Sequence, residues 1–257
     1  MKAKQSIGKT ELLWKIGSVA LALVLWQGLS SLPTLSILLA SPLEVAGRLL
    51  TIWQEAGFFS ALWFTFYRIA GGFLLGLLCG VLLAVIAGRF KWVEILLWPY
   101  MITVKSVPVA SFVIIILIFF RATALSVIIS ALMVLPIIYT NTLSGIRSTD
   151  VELDRMAEVF QIPFWKRLFY VKLPQIRPFF LSGAAVSLGL CWKSGVAAEL
   201  IGIPTGSVGE ALYQAKIYLN TADLFCWTIL IILISFGFEK LVLWLFTKAF
   251  CRLERLS

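Results

Sequence analysis

Among the charged side chains that stand inside long apolar runs, four are singled out: Arg68, Lys105, Lys193 and Glu199. A charge at mid-bilayer costs at least about 2.5–3.5 kcal/mol, so each needs a reason to be there. Three of the four are cations, and a polar path lined by them favours anions. The chemistry open to this set is binding and passage, not bond-making. The plainer alternative is that each cation snorkels, bonds to backbone freed by the prolines, or pairs with Glu199. Glu199 lies near the outer end of its run, where water is closer. Lys193 and Glu199 are separated by about 240° around a helix, so they share a face only if the helix breaks near Gly195. Lys240, in the last run, snorkels or pairs with Glu239.

Little else in the chain is equipped for catalysis. There are no histidines, which removes histidine metal sites, triads and proton relays. Cys79, Cys191 and Cys226 fall in apolar runs and Cys251 near the C-terminus, a spacing that fits neither a zinc site nor a disulfide framework. They read as small packing residues. Gly8-Lys9-Thr10 imitates the end of a phosphate-binding loop, but Ala3 stands where the motif needs glycine, and no strand precedes it. The expectation is a non-enzymatic chain with no cofactor or metal of its own.

Composition then sets the class. The 257 residues are 60% hydrophobic and 14% charged, with a net charge of +9 and a mean hydropathy of +0.97. Soluble domains average about 45–50% apolar and about 25% charged. The chain is therefore an all-α polytopic membrane protein. At about 20 apolar residues per crossing it has room for about six spans. Its basic excess points to anionic lipid at the cytoplasmic face and not to nucleic acid.

The spans fall near residues 16–32, 58–87, 93–120, 122–146, 179–201 and 224–246. The first is read as a retained span, since no small-x-small cleavage site follows it. Residues 1–57 form an N-terminal arm, first span and interfacial helix, and 58–257 a core domain of five spans. Ser41-Pro42-Leu43-Glu44 is a capping box that starts an amphipathic helix reaching about residue 57. Gly72, Gly76, Gly80, Ala84 and Gly88 recur every fourth residue, a smooth stripe for close helix packing. Pro99 and Pro108 should kink or break the third span near both positions. Ser207 and Glu210 cap a short helix over 208–219. Lysine and arginine gather in the N-terminal arm, at 89–91, across 147–177 and in the tail. The intervening loops hold only Arg48, Arg121 and Lys216. That asymmetry places both termini and the central polar stretch in the cytoplasm.

The central stretch, 149–178, mixes both signs of charge with Phe160, Phe164, Trp165 and Phe169. Thr149 and Glu152 read as a capping box. Pro163 ends that helix and opens another, which Leu173-Pro174 should stop near Lys172. Two short helices at an angle result.

Here the spacing resembles the cytoplasmic coupling motif of ABC importer permeases: Glu-Ala-Ala, three residues, Gly, nine residues, Ile, one residue, Leu-Pro. This chain reads Arg155-Met156-Ala157, Gln161, Val171 and Leu173-Pro174 in that register. The motif's Glu, first Ala and Gly are replaced, which leaves the turn at Gln161 open. Cys191-Trp192-Lys193-Ser194-Gly195-Val196-Ala197-Ala198-Glu199-Leu200-Ile201-Gly202 is similar to the segment after the coupling loop in nitrate-, sulfonate- and taurine-type permeases. Thr65, Tyr67, Arg68 and Gly72 continue the likeness, as do Gly209-Glu210, Ala215-Lys216 and Asp223-Leu224-Phe225. Together they cover roughly residues 60–250.

The resemblance implies a type I importer fold in a bacterial inner membrane. It implies two ATP-binding cassette subunits that hold ATP and Mg, a second permease copy (a homodimer), and an extracytoplasmic solute-binding protein. The ATPase contact would fall on Arg155, Met156, Ala157, Glu158, Gln161, Ile162, Pro163, Leu173 and Pro174. The solute would be a small anion such as a sulfonate, nitrate or taurine, or else a pyrimidine-type vitamin precursor. A stand-alone channel or ion-coupled carrier is the reading from another class. The absence of histidine, the few membrane carboxylates and the lack of an inverted repeat count against it. A scaffold subunit without a pore is the third.

Overall fold

Hydrocarbon offers no partner for a backbone amide, so a chain this apolar has to satisfy its backbone within helices. In the computed structural model, which describes residues 9–32 and 39–255, every regular element is helical. Gly8, with Lys2, Lys4 and Ala3, lies outside the described residues. Five helices are long and apolar enough to cross a membrane. A bent pair makes a sixth crossing if it counts as one span.

The chain divides into two units. One comprises residues 1–58 and 212–230. It contains α1 (Lys9–Ser30), exposed along most of its length, and α2 (Pro42–Leu49). The capping box at Ser41 forms in both directions: the Glu44 N–H donates to the Ser41 hydroxyl, and the Ser41 N–H to the Glu44 carboxylate at 2.8 Å. The helix is shorter than the expected reach to residue 57. It gives way to a tight turn at Ile52–Gln54, with Val45 and Ile52 buried. Arg48 joins Glu55 and Asp223, and the Trp26 ring packs on Phe225 at 5.0 Å.

The second unit comprises residues 59–211 and 231–257. It holds nearly all of α3 (Phe58–Arg89), then α4 (Lys91–Ser106), α5 (Val109–Phe119) and α6 (Leu125–Arg147). After these come α7 (Val151–Val159), α8 (Phe164–Arg167), α9 (Leu173–Gly202) and the first turn of α10 (Val208–Ile217). The part of α11 (Thr221–Arg255) from Ile231 onward completes it. Its core is α3, α6 and α9 packed together, filled by Ile69, Phe73, Val134, Ile138, Leu188 and Trp192. Phe238 of α11 stands edge-on to Phe66 and Phe73.

Glycines set how closely these helices approach. A Cβ at Gly72 would lie 2.8 Å from Ser130 Cβ, one at Gly76 2.6 Å from the Ala131 carbonyl, and one at Gly80 2.9 Å from the Leu135 carbonyl. On α9, a Cβ at Gly195 would meet Ser130 Oγ at 2.7 Å, and one at Gly183 would meet Asn141 Cβ at the same distance. So α6 is held between two helices whose backbones it nearly touches.

The break expected at Pro108 is found, and one expectation about proline, at Leu173-Pro174, is corrected. Pro99 sits inside α4 without breaking it, while the break falls at Val107-Pro108, where α4 and α5 meet at 107°. Pro108 lies ahead of α5 as its cap, and the pre-proline residue Val107 is extended, as the ring requires. Leu173-Pro174 does not stop a helix. A π turn at Leu168–Lys172, in which the Leu173 N–H reaches back to the Leu168 carbonyl, joins α8 to α9 in one run from Phe164 to Gly202. The wider turn gives the Pro174 ring room against the preceding carbonyls, so the helix passes through.

The close approach of α3 to α6 predicts that Gly72→Val destabilises the protein by about 1–3 kcal/mol through overpacking. Gly71→Ala, next door and with nothing within 4 Å of its Cβ, should be nearly neutral. Thermal unfolding of the purified chain in detergent, with the two variants side by side, checks the contrast.

Candidate functional site: the α7 turn and the buried polar groups

Asp150, not Thr149, caps α7. Its carboxylate accepts the Glu152 N–H at 2.8 Å, while the Thr149 hydroxyl turns back to the Ile146 carbonyl. Asp150's own N–H goes to Gln175 Oε1 at 2.7 Å, tying the start of α7 to the first turn of α9.

The end of α7 answers the question posed by Gln161. Gln161 adopts φ +51°, the left-handed conformation that glycine takes most readily. Its N–H bonds to Glu158 O, and the Ile162 N–H reaches Ala157 O, both at 2.9 Å. This pair is a Schellman motif. The turn geometry is therefore made without the glycine, at a cost of about 1–2 kcal/mol for a side chain in that region. Pro163 follows as the cap of α8.

The turn is also clamped from the side. Asp154 pairs with Arg167 of α8, and with Lys172 at 3.6 Å. The Arg167 guanidinium holds the Asp154 carboxyl below the usual carboxylate range, with Lys172 adding to it.

The expected contact residues separate into two places. Ala157 is fully buried and Ile162 half-buried, so they hold the turn together. Arg155, Met156, Glu158, Gln161 and Pro163 face outward. Leu173 and Pro174 are half-buried at the start of α9. The residues that dominate the outer surface are apolar: Val159 is 79% exposed and Phe160 72%, beside Met156, Phe164 and Trp165. Val159, Asp154 and Gln175 were not singled out from the sequence. The pairings of Asp154 and Gln175 are made only by the fold.

The charged residues of the spans are not gathered into one site. Lys193 is exposed on α9. The Arg68 guanidinium lies 4.2 Å from the centre of the Phe64 ring, a cation–π arrangement within α3. Lys240 sits 5.1 Å from the Phe236 ring, with no ion pair to Glu239 among the described residues. Lys105 reaches Thr140 at 3.2 Å, in a cleft between α4 and α6.

Glu199 is fully buried, not near water. The Thr65 hydroxyl donates to its Oε2 at 2.7 Å and accepts the Val208 N–H at 3.0 Å. One hydroxyl thus links α3, α9 and the start of α10. Ser126 and Arg68 lie close to the same carboxylate. Gly209 is packed so tightly on the end of α9 that a Cβ there would stand 2.7 Å from the Leu200 nitrogen. Thr65 carries no sequence signal of this role, since its partner is 134 positions away.

Residues 72–248 match the family described as binding-protein-dependent transport system inner membrane component. The chain belongs to this family. It is a membrane-spanning permease subunit of an ABC importer. A protein named as an aliphatic sulfonates transport permease of Bacillus subtilis (strain 168) is 29% identical over 208 residues, 80% of this chain and 75% of that protein. The taurine transport system permease protein of Escherichia coli (strain K12) is 27% identical over 87% of this chain and 84% of its own length. The riboflavin transport system permease protein of Chloroflexus aurantiacus is 30% identical over 75% and 71%.

Two outcomes test the α7 turn. Gln161→Gly should slow hydrogen exchange across 151–163 by the equivalent of about 1 kcal/mol, and Gln161→Val should speed it, since a β-branched residue resists positive φ. Because the folded Asp154 value is depressed, its ion pair stabilises the turn above the ordinary carboxylate range, near about pH 4. That contribution is lost only as the pH falls below that range. Exchange rates corrected for their intrinsic pH dependence should show this acid loosening in the wild type and not in Asp154→Asn.

Proposed function

We propose that the α7 turn is the surface on which this permease takes force from an ATPase, and that the solute it passes is a small anion. The observation that carries the first part is an apolar patch, Met156, Val159, Phe160, Phe164 and Trp165, set on a turn locked by two backbone bonds and an ion pair. Exposed aromatics on a rigid frame are what a docking partner's groove selects. A rigid element is also what a transmitted displacement requires. The α8–π–α9 run leads from that patch without interruption into the helix that carries Glu199.

In this reading two ATP-binding cassette subunits dock from the cytoplasm and hold the ATP and Mg. The chain itself is non-catalytic and binds no nucleotide. A second copy completes the pathway, and an extracytoplasmic binding protein delivers the solute. Both termini face the cytoplasm, as the distribution of lysine and arginine supports. The names of the sulfonate and taurine relatives, with the excess of cations (Arg68, Lys105 and Lys193) over carboxylates among the charges first noted in the spans, support an anion. The riboflavin relative favours a second reading, a heteroaromatic vitamin.

Proteoliposomes holding the chain with its ATPase and binding protein should take up labelled taurine or ethanesulfonate only when ATP is supplied. Uptake without ATP would instead mark a channel or carrier, and riboflavin uptake would favour the vitamin reading. Phe160→Asp should insert at wild-type levels yet lose about tenfold or more of the ATP-driven uptake. Unchanged uptake in that variant would remove the coupling role of the turn.

A further inference from the structure

The cleft between α4 and α6 has a volume of about 280 Å³. Its charged lining is Lys105, Arg147 and Glu94. Glu94 is already engaged by Arg147 and by Lys91, the latter at 3.0 Å. Lys105 has no carboxylate partner among the described residues, and its one bond goes to the Thr140 hydroxyl at 3.2 Å. Thr140 in turn gives its single proton to the Pro136 carbonyl at 2.8 Å. It accepts from the lysine and cannot donate to a ligand, so it fixes the ammonium and leaves that group's remaining protons available. Tyr139 also lines the cleft. It is 97% buried, being 3% exposed, and its hydroxyl has no hydrogen-bond partner among the described residues.

The spare protons of the exposed Lys105 ammonium and the unpartnered Tyr139 hydroxyl are both donors, so together they suit an acceptor, and the cation favours one that carries negative charge. We propose that this cleft binds an oxyanion, with Lys105 supplying the charge, Tyr139 a second hydrogen bond, and Thr140 acting as a positioning residue. Trp98, Met101 and Leu143 form the apolar remainder. That lining fits a sulfonate, carboxylate or phosphate group carrying a short apolar tail. The volume is at the small end for ligand sites and suits a small head group better than a flavin-sized solute. The oxyanion can come from a transported solute or from the phosphate of an anionic lipid. The solute source rests on the anion reading of function, whereas the site itself does not.

The test uses the full-length chain in nanodiscs of neutral phosphatidylcholine, with labelled ethanesulfonate as probe at low ionic strength. Saturable binding is expected, weakened tenfold or more in Lys105→Met and several-fold in Tyr139→Phe. Lys240→Met, which removes the same charge elsewhere, should bind as the wild type does. In a second arm, native mass spectrometry follows retention of phosphatidylglycerol. If ethanesulfonate does not bind but phosphatidylglycerol is retained by the wild type and lost in Lys105→Met, the site stands with lipid as its source. Equal binding of both probes by wild type and Lys105→Met, or binding of neither, overturns it. Ethanesulfonate binding that depends on Lys105, in a chain whose complete transporter shows no ATP-driven uptake, would overturn the functional reading and leave the site in place.

Discussion

The close approach of three helix backbones governs this structure. Between helices in lipid there is little hydrophobic drive, because the surrounding tails are as apolar as the side chains. Association has to come from packing at short range, and that requires surfaces without bulk. Gly72, Gly76 and Gly80 bring α3 onto the carbonyls of α6, while Gly183 and Gly195 bring α9 onto its other side. Side-chain bonds then reinforce the contact, as where the Ser130 hydroxyl reaches the Cys191 carbonyl at 3.1 Å. Helices packed this tightly have few intermediate arrangements. A displacement applied at one end is carried along the block and not absorbed within it.

Polar groups are placed where that rigidity is useful. Thr65 and Glu199 lie at the end of the block, where α9 stops and α10 begins. Ile203, just past α9, holds φ +46° in a β-branched residue, a conformation sustained only by its surroundings. At the other end of α9, Gln175 and the Asp154–Arg167 pair fix α7 to the same helix. One continuous helical run thus carries a clamped turn at its start and a buried carboxylate at its finish.

Much of this was legible in the sequence, and the reasons differ by feature. The glycine period of four marks a packing face whatever it faces, so the stripe on α3 could be read without its partner. The spacing from Ala157 to Pro174 located the turn although three of the motif's residues are changed, because the register is set by helix length and turn geometry. Leu173-Pro174 misled, since proline's effect depends on the hydrogen bonding of the turn before it, and a π turn has no short-range sequence mark. Glu199 misled for another reason. Its place along the span suggested water, but burial is decided by Thr65 and Gly209, residues far away in the chain or across a helix break.

The same argument separates two kinds of intramembrane charge. Arg68 and Glu199 are each engaged in part by near neighbours, aromatic rings in one case and a threonine hydroxyl in the other. Arg68 Nε and Glu199 Oε1 keep no hydrogen-bond partner among the described residues, but the Thr65–Glu199 bond ties α3 to α9. Lys105 is different, because its only bond among the described residues is to a neutral hydroxyl whose proton is committed elsewhere. A charge is costly in this setting unless something repays its desolvation. Lys105 lies in the last turn of α4, just before the bend of 107° into α5. A cation there, bonded only to Thr140 of α6 among the described residues, is placed as the proposed oxyanion site requires.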